Sequence, residues 1–223
     1  MRKSTALVGR LAAVVVLALA LAPGVQASSP PVRGLIPATA SVLGYSLEEI
    51  ATAWTEWTLD SLEGNPILEE RCDPSPLDPR IWFTPEVTSV GGVPNVECDV
   101  PAGAFIMIVP AFWECSSVEG DPFHAENEAE LIACVESGFH VIDTVEITLD
   151  GRSSSNLDQY ALRTSMIQLP EDNLLSPDAG ISMTRGYFAV LHPLTPGTHH
   201  ARIDATYPEF DFEGITDYTF VVG

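Results

Sequence analysis

A few side chains in this sequence carry chemistry in a context that singles them out. Arg163 falls midway along a strand-like run, 160–169, in a chain with 10 basic residues against 31 acidic ones. A partly buried arginine requires a carboxylate partner. Asp150 or Asp172 would serve within the protein. The functional alternative is a guanidinium fork that holds a carboxylate or sulfate of a ligand. Trp113 follows an apolar run and precedes Glu114-Cys115, so of the four tryptophans it is the one first expected to be partly exposed. His199 opens another strand-like run. Neighbours on a strand point to opposite faces, so His199 and His200 cannot both enter one site. Together with Tyr187, these give the candidate ligand-contacting set: Arg163, Trp113, Tyr187 and His199.

No catalytic set emerges. Paired carboxylates are the mark of glycoside hydrolysis. Glu114, Asp150, Asp172 and Asp211 are all available for such a pair, but among 31 acids pairs arise by chance. There is no His-Glu-x-x-His helix and no glycine-rich phosphate loop. The nucleophile elbow Gly-x-Ser-x-Gly is also missing, and Ser153-Ser154-Ser155 reads as a solvated turn. Neither a metal site nor a cofactor is expected; a metal held by distant histidines and carboxylates is the minor alternative. Trp54 and Trp57 suggest a sugar-stacking platform, but they share a helix face with Leu47 and Ile50, which argues for core packing.

The elements that must position these residues follow from pattern. Ser46-Leu47-Glu48-Glu49 is a capping box, and apolar residues recur behind it at spacings of three and four. Gly64-Asn65-Pro66 is expected to end that helix. Strands are expected at 80–84, 96–100 and 105–109, the last apolar throughout and buried on both faces. A second helix is expected at 126–136, with Gly138 just past its end. The run 141–149 alternates, with Val141, Asp143, Val145, Ile147 and Leu149 on one face, and Asp150-Gly151 turns the chain. Further strands read at 160–169, 182–191, 199–206 and 216–222. The fold class is mainly β: a single antiparallel β-sandwich with an N-terminal amphipathic helix and one inserted helix.

The N-terminus bounds where the protein works. Met1-Arg2-Lys3, an apolar run from Leu11 to Leu21, and a small residue at Ala27 make a secretory signal. The run is short for a membrane span. The expected organisation is a signal peptide at 1–27, an extended lead-in at 28–44 and the sandwich at 45–223. The protein is secreted or periplasmic after cleavage near Ala27. Removing Arg2, Lys3 and Arg10 leaves seven arginines against all 31 acids. A field of that sign repels nucleic acid and anionic lipid. The acidity reads as solvation in salty surroundings, with calcium binding by carboxylates as the alternative. Cys72, Cys98, Cys115 and Cys134 suit two disulfides in an oxidising compartment. The pairing Cys72–Cys98 with Cys115–Cys134 is preferred because each closes a local loop.

An ordered set of motifs resembles a family of uncharacterised secreted bacterial proteins. It runs Trp54-Thr55-Glu56-Trp57, Asn65-Pro66, Trp82-Phe83, then Cys98-Asp99-Val100-Pro101-Ala102-Gly103. It continues through Asp150-Gly151, Asn156-Leu157, Tyr160, Arg163 and Leu169-Pro170-Glu171-Asp172-Asn173. It closes with Gly186-Tyr187, Pro193-Leu194, Pro196-Gly197-Thr198-His199 and Tyr218. This sequence departs from the pattern at Met166 and His200. The resemblance implies export and a single folded unit, and no mechanism. The expected function is a non-catalytic module that binds a ligand, such as a glycan, or another extracellular protein, or that contributes to the cell surface. The alternatives are a secreted glycan hydrolase and a calcium-stabilised module.

Overall fold

A computed structural model describes residues 34–86 and 93–223. The expected signal peptide and its cleavage point lie outside the described residues. The first helix, α1 (Leu47–Thr58), carries the expected capping box: Ser46 accepts from the Glu49 N–H, and Glu49 accepts from the Ser46 N–H. Its apolar face buries Leu47, Ile50 and Trp54 completely or nearly so. The helix ends at Thr58, earlier than Gly64, and the chain then turns through a short bridge between Ser61 and Asn173.

The strands follow in chain order: β1 (Asp73–Pro74), β2 (Ile81–Phe83), β3 (Asn95–Val100), β4 (Phe105–Ser116), β5 (Thr144–Leu149), β6 (Arg152–Ser154), β7 (Ala161–Arg163), β8 (Ile167–Leu169), β9 (Gly180–Leu191), β10 (Gly197–Tyr207) and β11 (Phe212–Val222). Helix α2 (Glu128–Phe139) lies between β4 and β5. The described strands form two sheets. One is ordered β1-β2-β4-β9-β7, with β8 also paired to β9; the other is ordered β3-β11-β10-β5-β6. Pairing is antiparallel except for β2 with β4 and β3 with β11. Residues of both sheets and α1 share one core. The mainly β sandwich with two helices is therefore the observed architecture.

Three local departures from the pattern matter for the site. First, β4 does not stop at Val109 but runs on to Ser116. Pro110 has no N–H to give a ladder, and it sits in the irregularity between Ile108 and Ala111 where the register with β9 shifts. Second, the run 160–169 splits into β7 and β8, separated by Thr164–Met166. Third, Gly138 lies inside the last turn of α2 and is buried there. A Cβ at Gly138 would stand 2.0 Å from the Trp113 indole nitrogen, so the residue is glycine because the helix touches that ring.

Both disulfides pair as expected. Cys72–Cys98 joins the segment before β1 to β3 and so ties one sheet to the other. Cys115–Cys134 fastens α2 onto β4. Successive residues on β4 and β9 alternate between the two faces of their sheet. Phe112 and Phe188 lie on the α1 side, where Trp54 meets both edge-on at 5.5 and 6.0 Å. Cys115, Arg185 and Tyr187 lie on the α2 side.

Candidate functional site

At one end of the sandwich a cavity of about 560 Å3 opens where α1 ends and the β10–β11 turn folds over β4. Six aromatic rings line it: Phe112, Trp113, Phe123, Tyr207, Phe210 and Phe212. Each arrives for a local reason. Trp113 stacks with Phe123 at 4.9 Å and with Phe210 at 5.7 Å, and Gly138 leaves room behind its edge. Phe210 comes from a one-turn 3-10 segment, Pro208–Phe210, and Asp211 at φ 48° then reverses the chain into β11. Two buried asparagines hold the loops that finish the rim. Asn65 donates to the Thr58 carbonyl and accepts from the Ile67 N–H. Asn173 donates to the Pro170 and Asp178 carbonyls and accepts from Leu175 and Ser176. Ile67, Leu174 and Leu175 line the cavity as a result.

Three carboxyl groups enter this apolar space: Glu86, Glu114 and Glu119. Burial alone raises the Glu86 carboxyl to about 7. Burial is also the main reason that the Glu114 carboxyl lies well above the ordinary range. A hydrogen bond and charge repulsion with Glu119 add to the rise, and a bond with Ser182 opposes it. These effects hold the Glu114 carboxyl toward its protonated form, while Ser182 donates to Glu114 and Ser116 donates to Glu119 at 3.1 Å. Burial likewise pushes the Tyr207 and Tyr218 phenols above their ordinary range, with the nearby Glu86 charge adding to it. Tyr218 donates to the Pro85 carbonyl at 2.6 Å, beside Glu86. Thr58 completes the wall. It is 1% exposed, and its hydroxyl has no hydrogen-bond partner.

The four candidate ligand contacts do not converge on this cavity. Trp113 alone lines it. The Trp113 ring is partly exposed, as are those of Trp57 and Trp82, while Trp54 is fully buried. Arg163 and Tyr187 each contact α2 instead, through Glu136 and Phe139. The Arg163 partner is Glu136 of α2, at 2.9 Å, rather than Asp150 or Asp172, because the inserted helix packs on β4 and β9, and Arg163 of β7 pairs with Arg185 of β9. Arg185 binds the same Glu136, and its guanidinium lies 4.5 Å from the Phe139 ring, against which Tyr187 also packs. His199 sits on the other sheet as a clasp. Its Nδ1 donates to Asp150 at 2.7 Å, and its Nε2 faces the Thr195 carbonyl at 2.9 Å. His200 lies 3.4 Å from the Thr219 hydroxyl, so the two histidines serve separate contacts.

Among the four carboxylates first considered, only Glu114 enters the cavity. Asp150 is bound to His199, while Asp172 and Asp211 occupy left-handed turn positions. Glu86, Glu119, Tyr207 and Phe210 were not singled out by sequence. The available signals were a glutamate set between Trp113 and Cys115, and two phenylalanines interleaved in the acidic turn at 209–214. Among the described residues, no three His, Cys, Asp or Glu side chains are grouped to hold a metal ion. No described helix is long and apolar enough to cross a membrane. Comparison with family models, curated proteins and solved structures finds no match.

Proposed function

We propose that this chain is an exported binding module that takes a small amphipathic molecule into the aromatic pocket. The cavity itself carries this reading. Its volume and its largely apolar wall, with a few polar groups set into it, are the attributes of small-molecule sites. Asn65 and Asn173 supply fixed loops, and the Gly138–Trp113 contact supplies a fixed ring, so the pocket is preformed. A preformed site avoids ordering costs on binding. Phe123 and Phe210 both stack on the Trp113 indole, which favours an apolar body over a stacked sugar ring. Glycoside hydrolysis uses carboxyl groups separated by roughly 5 to 9.5 Å. Glu114 and Glu119 are in direct hydrogen-bond contact, which supports binding over that chemistry.

The test is titration with N-phenyl-1-naphthylamine, an uncharged probe that fluoresces in apolar surroundings, using wild type and Leu175→Trp. One probe molecule should bind per wild-type chain. The added indole should fill the pocket and abolish the signal while the melting temperature stays within a few degrees. Equal binding by both proteins, or none by wild type, would refute the reading.

A further inference from the structure

The three pocket carboxyls have no basic partner there, since no arginine, lysine or histidine lines the cavity. Glu114 and Glu119 satisfy one another with a shared proton and one serine each, an arrangement that leaves acceptor positions unused. Thr58 gives an independent sign of a missing polar group. A buried hydroxyl without a partner is rare in folded proteins, and a ligand donor or acceptor would satisfy it.

We infer that the ligand is a cationic amphiphile, with an apolar body among the aromatic rings and a primary or secondary ammonium hydrogen-bonded to the Glu114–Glu119 pair and the Thr58 hydroxyl. This rests on the pocket being a ligand site, as proposed above. Two carboxyl groups this close resist ionising together, so without a cation the pair retains a proton between them. When the ammonium enters, it takes over the role of that proton, which leaves to solvent. The pair then carries two negative charges against the one positive charge of the ligand, so the total in the site is unchanged. The other titratable groups facing the pair are Glu86 and Tyr207 in the cavity, Tyr218 beside Glu86, and His124, whose Nδ1 lies 2.8 Å from the Glu119 carbonyl oxygen. Neither phenol ionises near neutral pH. The formal net charge of −21 draws cations toward the protein and repels anions. An anionic ligand would meet carboxyls with no cation to offset it. A neutral one would leave the shared proton in place.

Isothermal titration at pH 6.5 with 1-naphthylmethylamine, 1-naphthalenemethanol and 1-naphthoate isolates the head group, because the apolar body is the same in all three. The amine should bind at least tenfold more tightly than the alcohol, and the naphthoate most weakly. Repeating the amine titration in two buffers of different ionisation enthalpy should reveal proton release. Glu119→Gln should bring amine and alcohol to within about threefold of one another. The inference is overturned if alcohol or naphthoate matches the amine in wild type, or if the amine releases no proton; neither result depends on the variant folding. If none of the three binds, the pocket reading itself fails.

Discussion

Glu86→Gln offers a quantitative check on the pocket. The Glu86 carboxyl is raised by burial from an ordinary 4.5 to about 7. Each tenfold change in proton affinity is worth about 1.4 kcal/mol. Ionising Glu86 in the folded protein therefore costs roughly 3 kcal/mol, or somewhat less because the side chain keeps some contact with water. The sign follows from linkage. Between these two values the folded state binds more protons than the unfolded one, so stability falls as pH rises and levels off above the folded value. Glutamine keeps the shape and cannot ionise. Wild type and variant should match near pH 4, and Glu86→Gln should be more stable by about 2–3 kcal/mol at pH 8. Urea unfolding at half-unit pH steps, followed by far-ultraviolet circular dichroism, measures both curves. Parallel curves across pH 4 to 8 would refute the claim that this carboxyl is buried.

Other perturbations reach the supports of the site. Gly138→Ala should destabilise by up to about 2 kcal/mol in urea unfolding: overpacking costs about 1–3 kcal/mol, and the helix gains about 1 kcal/mol on losing a glycine. It should also shift the Trp113 emission, since the new methyl group presses on the indole. Replacing both Cys115 and Cys134 with serine opens a loop of 19 residues; guanidinium titration should show a loss of about 3 kcal/mol, with Cys72–Cys98 intact by mass. His199→Gln addresses the clasp on the other sheet. Bonds to Asp150, opposed by partial burial and reinforced by Thr195, raise the His199 pKa. Partial burial acts to raise the Asp150 pKa, but bonds from His199 and His200 outweigh it and lower it. The pair should thus stabilise most between about pH 4 and 6.5, fading below as Asp150 protonates and above as His199 deprotonates. The wild-type advantage over His199→Gln in thermal unfolding should be confined to that window.

Features set by near neighbours in sequence were legible. The capping box at Ser46, the face shared by Leu47, Ile50 and Trp54, the alternation from Val145 to Leu149 and both local disulfides are patterns within a few turns or one short loop. Pro110 hid the length of β4, because a proline normally ends a strand and only a bulge accommodates it. Gly138 read as a helix stop, although its true reason, contact with Trp113, involves a residue 25 positions away. Arg163 was legible as a residue needing a carboxylate. Its partner was not, since the packing of α2 on β9, the neighbour of β7, is a tertiary fact. The pocket was the least legible feature. Its wall gathers residues from the end of α1, the loops at Ile67 and Leu174, Glu86, β4 and the β10–β11 turn. No periodicity marks such a set, because each member belongs to a different local pattern.

The most direct test of the central claim is a crystal structure of the oxidised protein grown with 1-naphthylmethylamine. The ring should lie against Phe112, Tyr207 and Phe212, with its nitrogen within hydrogen-bond distance of Glu114 or Glu119. A filled or collapsed cavity, or an amine bound only elsewhere on the acidic surface, would contradict the assignment of this pocket as the binding site.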